Sequence, residues 1–166
     1  MNMTPIPEQS LSTPLFDRTS WTQLLEHSAR EVFDIMLGTS LQPYVSASTP
    51  SDGEFTALVG LAGSLCGVLS IRCANQSASI MAGKMLGLPP EDVGDDSWDA
   101  LGEIANMVAG NFKGKLSGVG NHCMLSVPTI IVGTDYRAHS LSGGNTLETV
   151  FEFDGKPFWV TLKLHE

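Results

Sequence analysis

Thr149-Val-Phe-Glu-Phe153-Asp154-Gly155-Lys-Pro-Phe158-Trp-Val-Thr-Leu-Lys-Leu164 is the stretch that decides the fold. Two β-prone runs flank Asp154-Gly155, a dipeptide suited to a two-residue hairpin turn. In the second run Phe158, Val160, Leu162 and Leu164 alternate with Trp159, Thr161 and Lys163, which predicts a strand with one face in the core. Upstream, Phe55–Ala62 and Cys66–Cys73 are apolar runs separated by Gly63 and Ser64, a second predicted hairpin. Their weak alternation suggests a sheet covered on at least one face by helices. A further strand is expected over Ser126–Val132, where Pro128 marks its start, an edge or a bulge because proline cannot donate to a ladder.

Three helical segments complete the pattern. The first, about 20–37, opens on the capping-box pattern Ser20-x-x-Gln23, carries apolar residues at Trp21, Leu24, Leu25, Val32 and Met36, and should stop at Gly38. The second runs from Asn75 to about Gly87, ahead of Pro89-Pro90. The third, about 96–117, follows the acidic stretch Glu91–Asp96, whose carboxylates suit a helix N-terminus. Residues 1–18, with Pro5, Pro7 and Pro14, read as a flexible tail, and residues 19–166 as a single domain. The predicted class is α+β: an antiparallel-rich sheet of two hairpins plus a Pro-bearing strand, packed against three helices.

With 166 residues and 42% hydrophobic content, the chain can bury one substantial core. Its net charge of −9 argues against nucleic acid or an anionic membrane as partner, while leaving a basic protein surface open. Cys66, Cys73 and Cys123 lack metal or redox spacing and sit among apolar residues, so buried reduced thiols and a cytoplasmic setting are expected. The N-terminus lacks the basic region and apolar stretch of a signal peptide, and the glycine-broken run Ala57–Ile71 is too short to span a bilayer. His27, His122, His139 and His165 show no ligand spacing, so no metal site is expected.

The third helix carries the candidate chemistry. In Asp99-Ala-Leu-Gly-Glu103-Ile-Ala-Asn106-Met-Val-Ala-Gly110, the residues Asp99, Glu103, Asn106 and Gly110 fall in one stripe roughly 60° wide on an ideal helix. Trp98, Leu101, Ile104, Ala105, Val108 and Phe112 take the opposite side. A carboxylate can pair with a partner's lysine or arginine, and a carboxamide can both donate to and accept from one water. The amide does not titrate near neutrality, so the pair suits a reaction in which the scissile bond is already labile and only water needs placing. The ordinary alternative is a solvated helix face.

Asp99-x3-Glu103-x2-Asn106 with Pro128 downstream, together with Glu103-Ile-Ala-Asn-Met-Val-Ala-Gly-Asn111 and Leu125-Ser-Val-Pro-Thr-Ile-Ile-Val-Gly133, resembles the signature of the CheC/CheX/FliY family of chemotaxis phosphatases, and its CheX branch in particular. Pro128 arrives a residue short of the usual spacing, which concerns loop length rather than the helix. The resemblance implies a CheC-like fold and hydrolysis of the aspartyl phosphate on a CheY-type receiver domain, in chemotaxis or related two-component signalling. It implies that Glu103 pairs with a receiver lysine and Asn106 orients the attacking water. Asp99, Gly102 and Gly110 would flank the contact, and Pro128 would shape the strand behind the helix. It further implies that the receiver supplies the Mg²⁺, so the chain needs no cofactor of its own, and that two copies pair through sheet edges as a homodimer. The first helix offers Glu31-x2-Asp34 at the comparable place without an asparagine, so one active stripe per chain is expected. The alternative is a non-enzymatic receiver-binding or flagellar-switch-like module.

Overall fold

A computed structural model describes residues 16–45, 54–118, 122–136 and 143–165. These residues form β1 (Gln42–Pro43), β2 (Phe55–Gly63), β3 (Gly67–Cys73), β4 (Cys123–Leu125), β5 (Thr129–Val132), β6 (Thr146–Phe153) and β7 (Lys156–Leu164), with α1 (Arg18–Leu37), α2 (Asn75–Leu86) and α3 (Asp96–Lys115). One seven-stranded sheet runs in the order β1-β6-β7-β3-β2-β4, with β5 also on β2, and every pairing is antiparallel.

Both predicted hairpins are present. Asp154 and Gly155 each take positive φ, 51° and 72°, the left-handed pair that a tight turn between right-twisted strands requires. Opposite them Phe151 faces Phe158, and Leu147 faces Leu162, so alternate residues of β6 and β7 share the core face. Pairing of Leu69 with Leu162 joins the two hairpins at the centre of the sheet.

The strand expected over 126–132 is shorter, β5 alone, and β4 just before it was not foreseen from sequence. β4 pairs with Leu61–Gly63 and β5 with Phe55–Leu58, and Ser126–Pro128 form a kink between them. Pro128 lacks the N–H that continuous pairing would use, so β5 starts just after it. The two-residue β1, not foreseen from sequence, covers only Glu152 and Phe151 of β6.

α1 begins earlier than its capping-box pattern suggested. The side chain of Asp17 accepts from Ser20 N, so Ser20 lies inside the first turn rather than at the cap. Asp17 and Arg18, assigned to the tail on sequence, are thus the cap and first residue of α1, and Phe16 before them packs edge-on against Trp21; residues 1–15 lie outside the described residues, as does Thr49–Gly53. The buried face of α1 is Trp21, Leu25, Ala29, Val32, Phe33 and Leu37, whereas Met36 is exposed. Phe33 meets Phe153 and Phe158 edge-on, with ring centroids 5.4 and 4.8 Å apart, which seats α1 on the β6–β7 hairpin. α3 lies over β2 and β3 beside it, and α2 rests chiefly on α3. α1 and α2 end at Gly38 and Gly87, as predicted.

Candidate functional site

α3 holds its position through Leu101, Ile104, Ala105, Val108, Ala109 and Phe112, all fully buried. Asp96 and Asp99 occupy its first turn and Lys113 and Lys115 its last, matching the helix dipole at both ends. Two positions depart from the sequence reading. Trp98 is 40% exposed and meets Phe55 edge-on at the margin of the core, because the buried arc is centred on Leu101 and Ile104 and leaves residue 98 at its rim. Gly102, expected among the partner-binding residues, is buried against the chain itself: a Cβ there would stand 3.3 Å from Pro128 Cβ and 3.5 Å from Ile130 Cδ1.

The rest of the stripe faces outward. Asp99 and Glu103 are exposed, and Asn106 and Gly110 are half-buried. Among the described residues, neither Glu103 nor Asn106 makes a side-chain hydrogen bond or ion pair. A cleft of about 330 Å³ runs beside the stripe between α2 and α3, lined by Met85, Leu86, Asp96, Asp99, Ala100 and Glu103. Its apolar side comes from the end of α2, a contribution that sequence reasoning missed. The signal was Leu86, an exposed leucine placed just ahead of the helix-ending Gly87.

On the far flank of the stripe lies the β4–β5 kink, with Pro128 against Gly102 and Leu125 Cδ1 3.8 Å from where a Gly110 Cβ would stand. Pro128 therefore packs against the helix that carries Glu103 and Asn106.

A second recess of about 340 Å³ lies against α1, lined by His27, Arg30, Glu31, Asp34, Ser40 and Leu41. Its carboxylate is engaged: Lys115 Nζ is 2.6 Å from Glu31 Oε2, and Asn111 Nδ2 donates to the same oxygen at 3.0 Å. The Lys115 bond, then the Asn111 bond, hold the Glu31 carboxyl below the ordinary glutamate range. Arg30 donates to the Leu41 carbonyl and lies over the Phe151 ring. Neither Asn111 nor Lys115 stood out in the sequence, because their partner is some 80 residues away on another helix.

Of the cysteines, Cys73 and Cys123 are buried as expected but Cys66 is exposed, because it lies in the turn entering β3 rather than in the strand. Burial pushes the Cys73 thiol up to about 12, so it is inert as a nucleophile. Among the described residues no three His, Cys, Asp or Glu side chains converge as metal ligands, and no helix is long and apolar enough to cross a membrane. His139 lies outside them.

A helix-backed antiparallel sheet is the architecture this chain shares with CheC-like superfamily proteins. The family described as Chemotaxis phosphatase CheX matches residues 55–152, and the chain belongs to that family. It is 27% identical over 88 residues to the CheY-P phosphatase CheX of Thermotoga maritima; that match takes in 52% of this chain and 57% of that protein's length. A CheC-like superfamily protein from Shewanella sp. PV-4 superposes with a TM-score of 0.75 at 23% identity, over 90% of this chain and all of the other. CheX in the CheX–CheY–BeF3–Mg²⁺ complex from Borrelia burgdorferi superposes with a TM-score of 0.69 at 24% identity, over 88% of this chain and 98% of the other.

Proposed function

We propose that this chain hydrolyses the aspartyl phosphate of a CheY-type receiver by placing water from α3. The observation that carries the reading is the juxtaposition of Glu103 and Asn106, one turn apart, outward-facing and without side-chain partners among the described residues. A carboxylate and a carboxamide held ready on a rigid helix are preorganised for groups that another molecule brings. Family membership and the receiver-bound Borrelia relative support the same partner.

In this mechanism Glu103 takes the ammonium of a receiver lysine, which fixes the register of α3 across the phosphorylated aspartate. The Asn106 carboxamide then accepts from and donates to one water, holding its oxygen in line with the phosphorus–oxygen bond to be broken. Water attacks phosphorus, the aspartate carboxylate departs with the bonding pair, and orthophosphate and a proton leave. An acyl phosphate has a stable carboxylate as its leaving group, so positioning and charge placement are sufficient without a strong base. The receiver brings the Mg²⁺ that balances phosphoryl charge. Asp99, exposed one turn before Glu103, adds long-range attraction to a basic partner surface, and Gly110 keeps the end of the stripe low.

The same reading places the work in the cytoplasm, where receivers act. It also pairs two copies through a sheet edge: beyond β1, no described strand pairs with the outer edge of β6, and an edge strand favours a partner strand. Light scattering would show the dimer mass, and a monomer at working concentration would remove that part of the proposal.

The test is to mix the chain with phosphorylated receivers and follow loss of phosphate. Release by the parent and none by Asn106→Ala supports the reading. Binding without accelerated release makes the chain a receiver-binding module instead.

A further inference from the structure

Gly102 and Gly110 lie eight residues apart on α3, a rise of about 12 Å. Against the first sits Pro128 and against the second Leu125, so Leu125-Ser-Val-Pro128 runs antiparallel to the helix between two notches. Asn106 is midway between the two glycines, and Ser126 and Val127 are therefore the kink residues at its level. Glycine in a helix interior weakens the helix relative to alanine. At Gly102 a Cβ would crowd Pro128 at 3.3 Å, so the missing side chain lets the kink sit close there, whereas at Gly110 Leu125 Cδ1 lies at ordinary contact distance, 3.8 Å.

The kink is also tied to the sheet. Ser126 N donates to the Gly60 carbonyl at 2.9 Å, Gly60 N donates to Ser126 Oγ at 2.8 Å, and that hydroxyl donates to the Val127 carbonyl at 2.9 Å. Pro128 fixes its own φ. On this pinned segment Val127 is 85% exposed, a β-branched apolar side chain standing in solvent between the residues that meet Gly102 and Gly110.

We propose that the Ser126–Pro128 kink is the second wall of the site, with Val127 as a docking contact for the receiver and Gly102 and Pro128 as positioning residues for the stripe. This rests on the function proposed above. α3 supplies charge and the carboxamide. The kink supplies a rigid apolar contact that sheds its water onto the receiver surface flanking the phosphorylated aspartate, closing one side of the Asn106 water. Because Val127 acts through burial against the partner, it governs association. Gly102 acts through the placement of α3, and so governs turnover.

The test uses the receiver whose phosphate the parent chain releases. Affinity is measured for that receiver activated with beryllofluoride and Mg²⁺, and kcat and KM for its phosphorylated form, on Val127→Ser, Val127→Asp, Gly102→Ala and Met124→Asp. Met124 is the control: it is 72% exposed, yet on a neighbouring strand where it pairs opposite Ala62. Val127→Ser is expected to weaken binding about tenfold, the value of burying one valine, with KM rising and kcat held. Val127→Asp should weaken it further, and both should keep the parent melting temperature. Gly102→Ala should lower kcat severalfold at constant KM without loss of helix signal. Met124→Asp should match the parent. Parent-like affinity in both Val127 variants overturns the proposal, provided that Glu103→Lys and Asn106→Ala remain impaired. If those two are unimpaired as well, the underlying reading of the site falls with it.

Discussion

α1 and α3 each display an acidic residue followed three positions later by a second polar one, Glu31 with Asp34 and Glu103 with Asn106. Both helices run for 20 residues, pack side by side and bury an apolar face against the same core. They differ in what their outward carboxylates meet. Glu31 is taken by Lys115 and Asn111 from within the chain, whereas Glu103 has no partner among the described residues. An internal lysine occupies on α1 the role that a partner's lysine would fill on α3. Spacing alone therefore does not make a docking stripe. The carboxylate must also be unsatisfied, and the residue one turn on must be an amide able to both give and take a hydrogen bond.

The sharpest way to break this contrast is to remove the amide. Asn106→Ala should cut hydrolysis by about a hundredfold or more, as loss of one preorganised donor commonly does, while receiver affinity stays near that of the parent. Asp34→Ala on α1 should leave turnover unchanged. Equal losses at both positions would mean that the two helices contribute alike.

The buried faces should prove equivalent, which confines the difference to the outer surfaces. Ile104→Ala on α3 and Leu25→Ala on α1 each empty a fully buried site and should each cost about 2–5 kcal/mol in chemical denaturation. Alanine at Glu103 or Asn106 should stay within about 0.5 kcal/mol of the parent. A collapse of the fold in Asn106→Ala would assign the stripe to the core.

Charge reversal probes the outward faces directly. Glu103→Lys should weaken receiver binding by about 2–5 kcal/mol if its ion pair is desolvated on docking, and Asp99→Lys by about 0.2–1 kcal/mol as an exposed contributor. Titration up to about 0.5 M salt should erode the Asp99 effect more than the Glu103 effect. Glu31→Lys should leave affinity unchanged.

The smallest effect concerns the closed carboxylate. The Glu31 carboxyl is held low in the folded chain, so its contribution is present above the unfolded-state value and fades as pH falls through the folded one. Lys115→Ala should therefore lower stability slightly near neutrality, and the gap from the parent should close on acidification below the ordinary glutamate range. A gap independent of pH would show that Lys115 contributes through packing alone.

The contrast also shows what the sequence makes legible. Hairpins, helix ends at Gly38 and Gly87, and the outward stripe of α3 depend on local periodicity and turn chemistry, and these were readable. Trp98 was misplaced because the buried arc of α3 is set by the sheet beneath it, not by the helix alone. Gly102 read as surface because its neighbour Pro128 is brought in by the pairing of β2 with β4 and β5. Closure of Glu31 by Lys115 was invisible for the same reason: it joins residues far apart in sequence. Local order was legible, and distant contacts were not.

The pairing of β3 with β7 has a consequence for how the chain folds. Leu69 and Leu162 meet across roughly 90 residues of intervening sequence, so the middle of the sheet closes only after a long loop has been gathered. Until residues 156–164 arrive, the β2–β3 hairpin has an open inner edge, and α1 lacks the β6–β7 hairpin on which it lies. During synthesis the stripe helix would emerge onto β2 and β3 alone. Closure of the sheet's centre is thus a late event, tied to insertion of one central strand, and folding should be slower than the helical content alone would suggest.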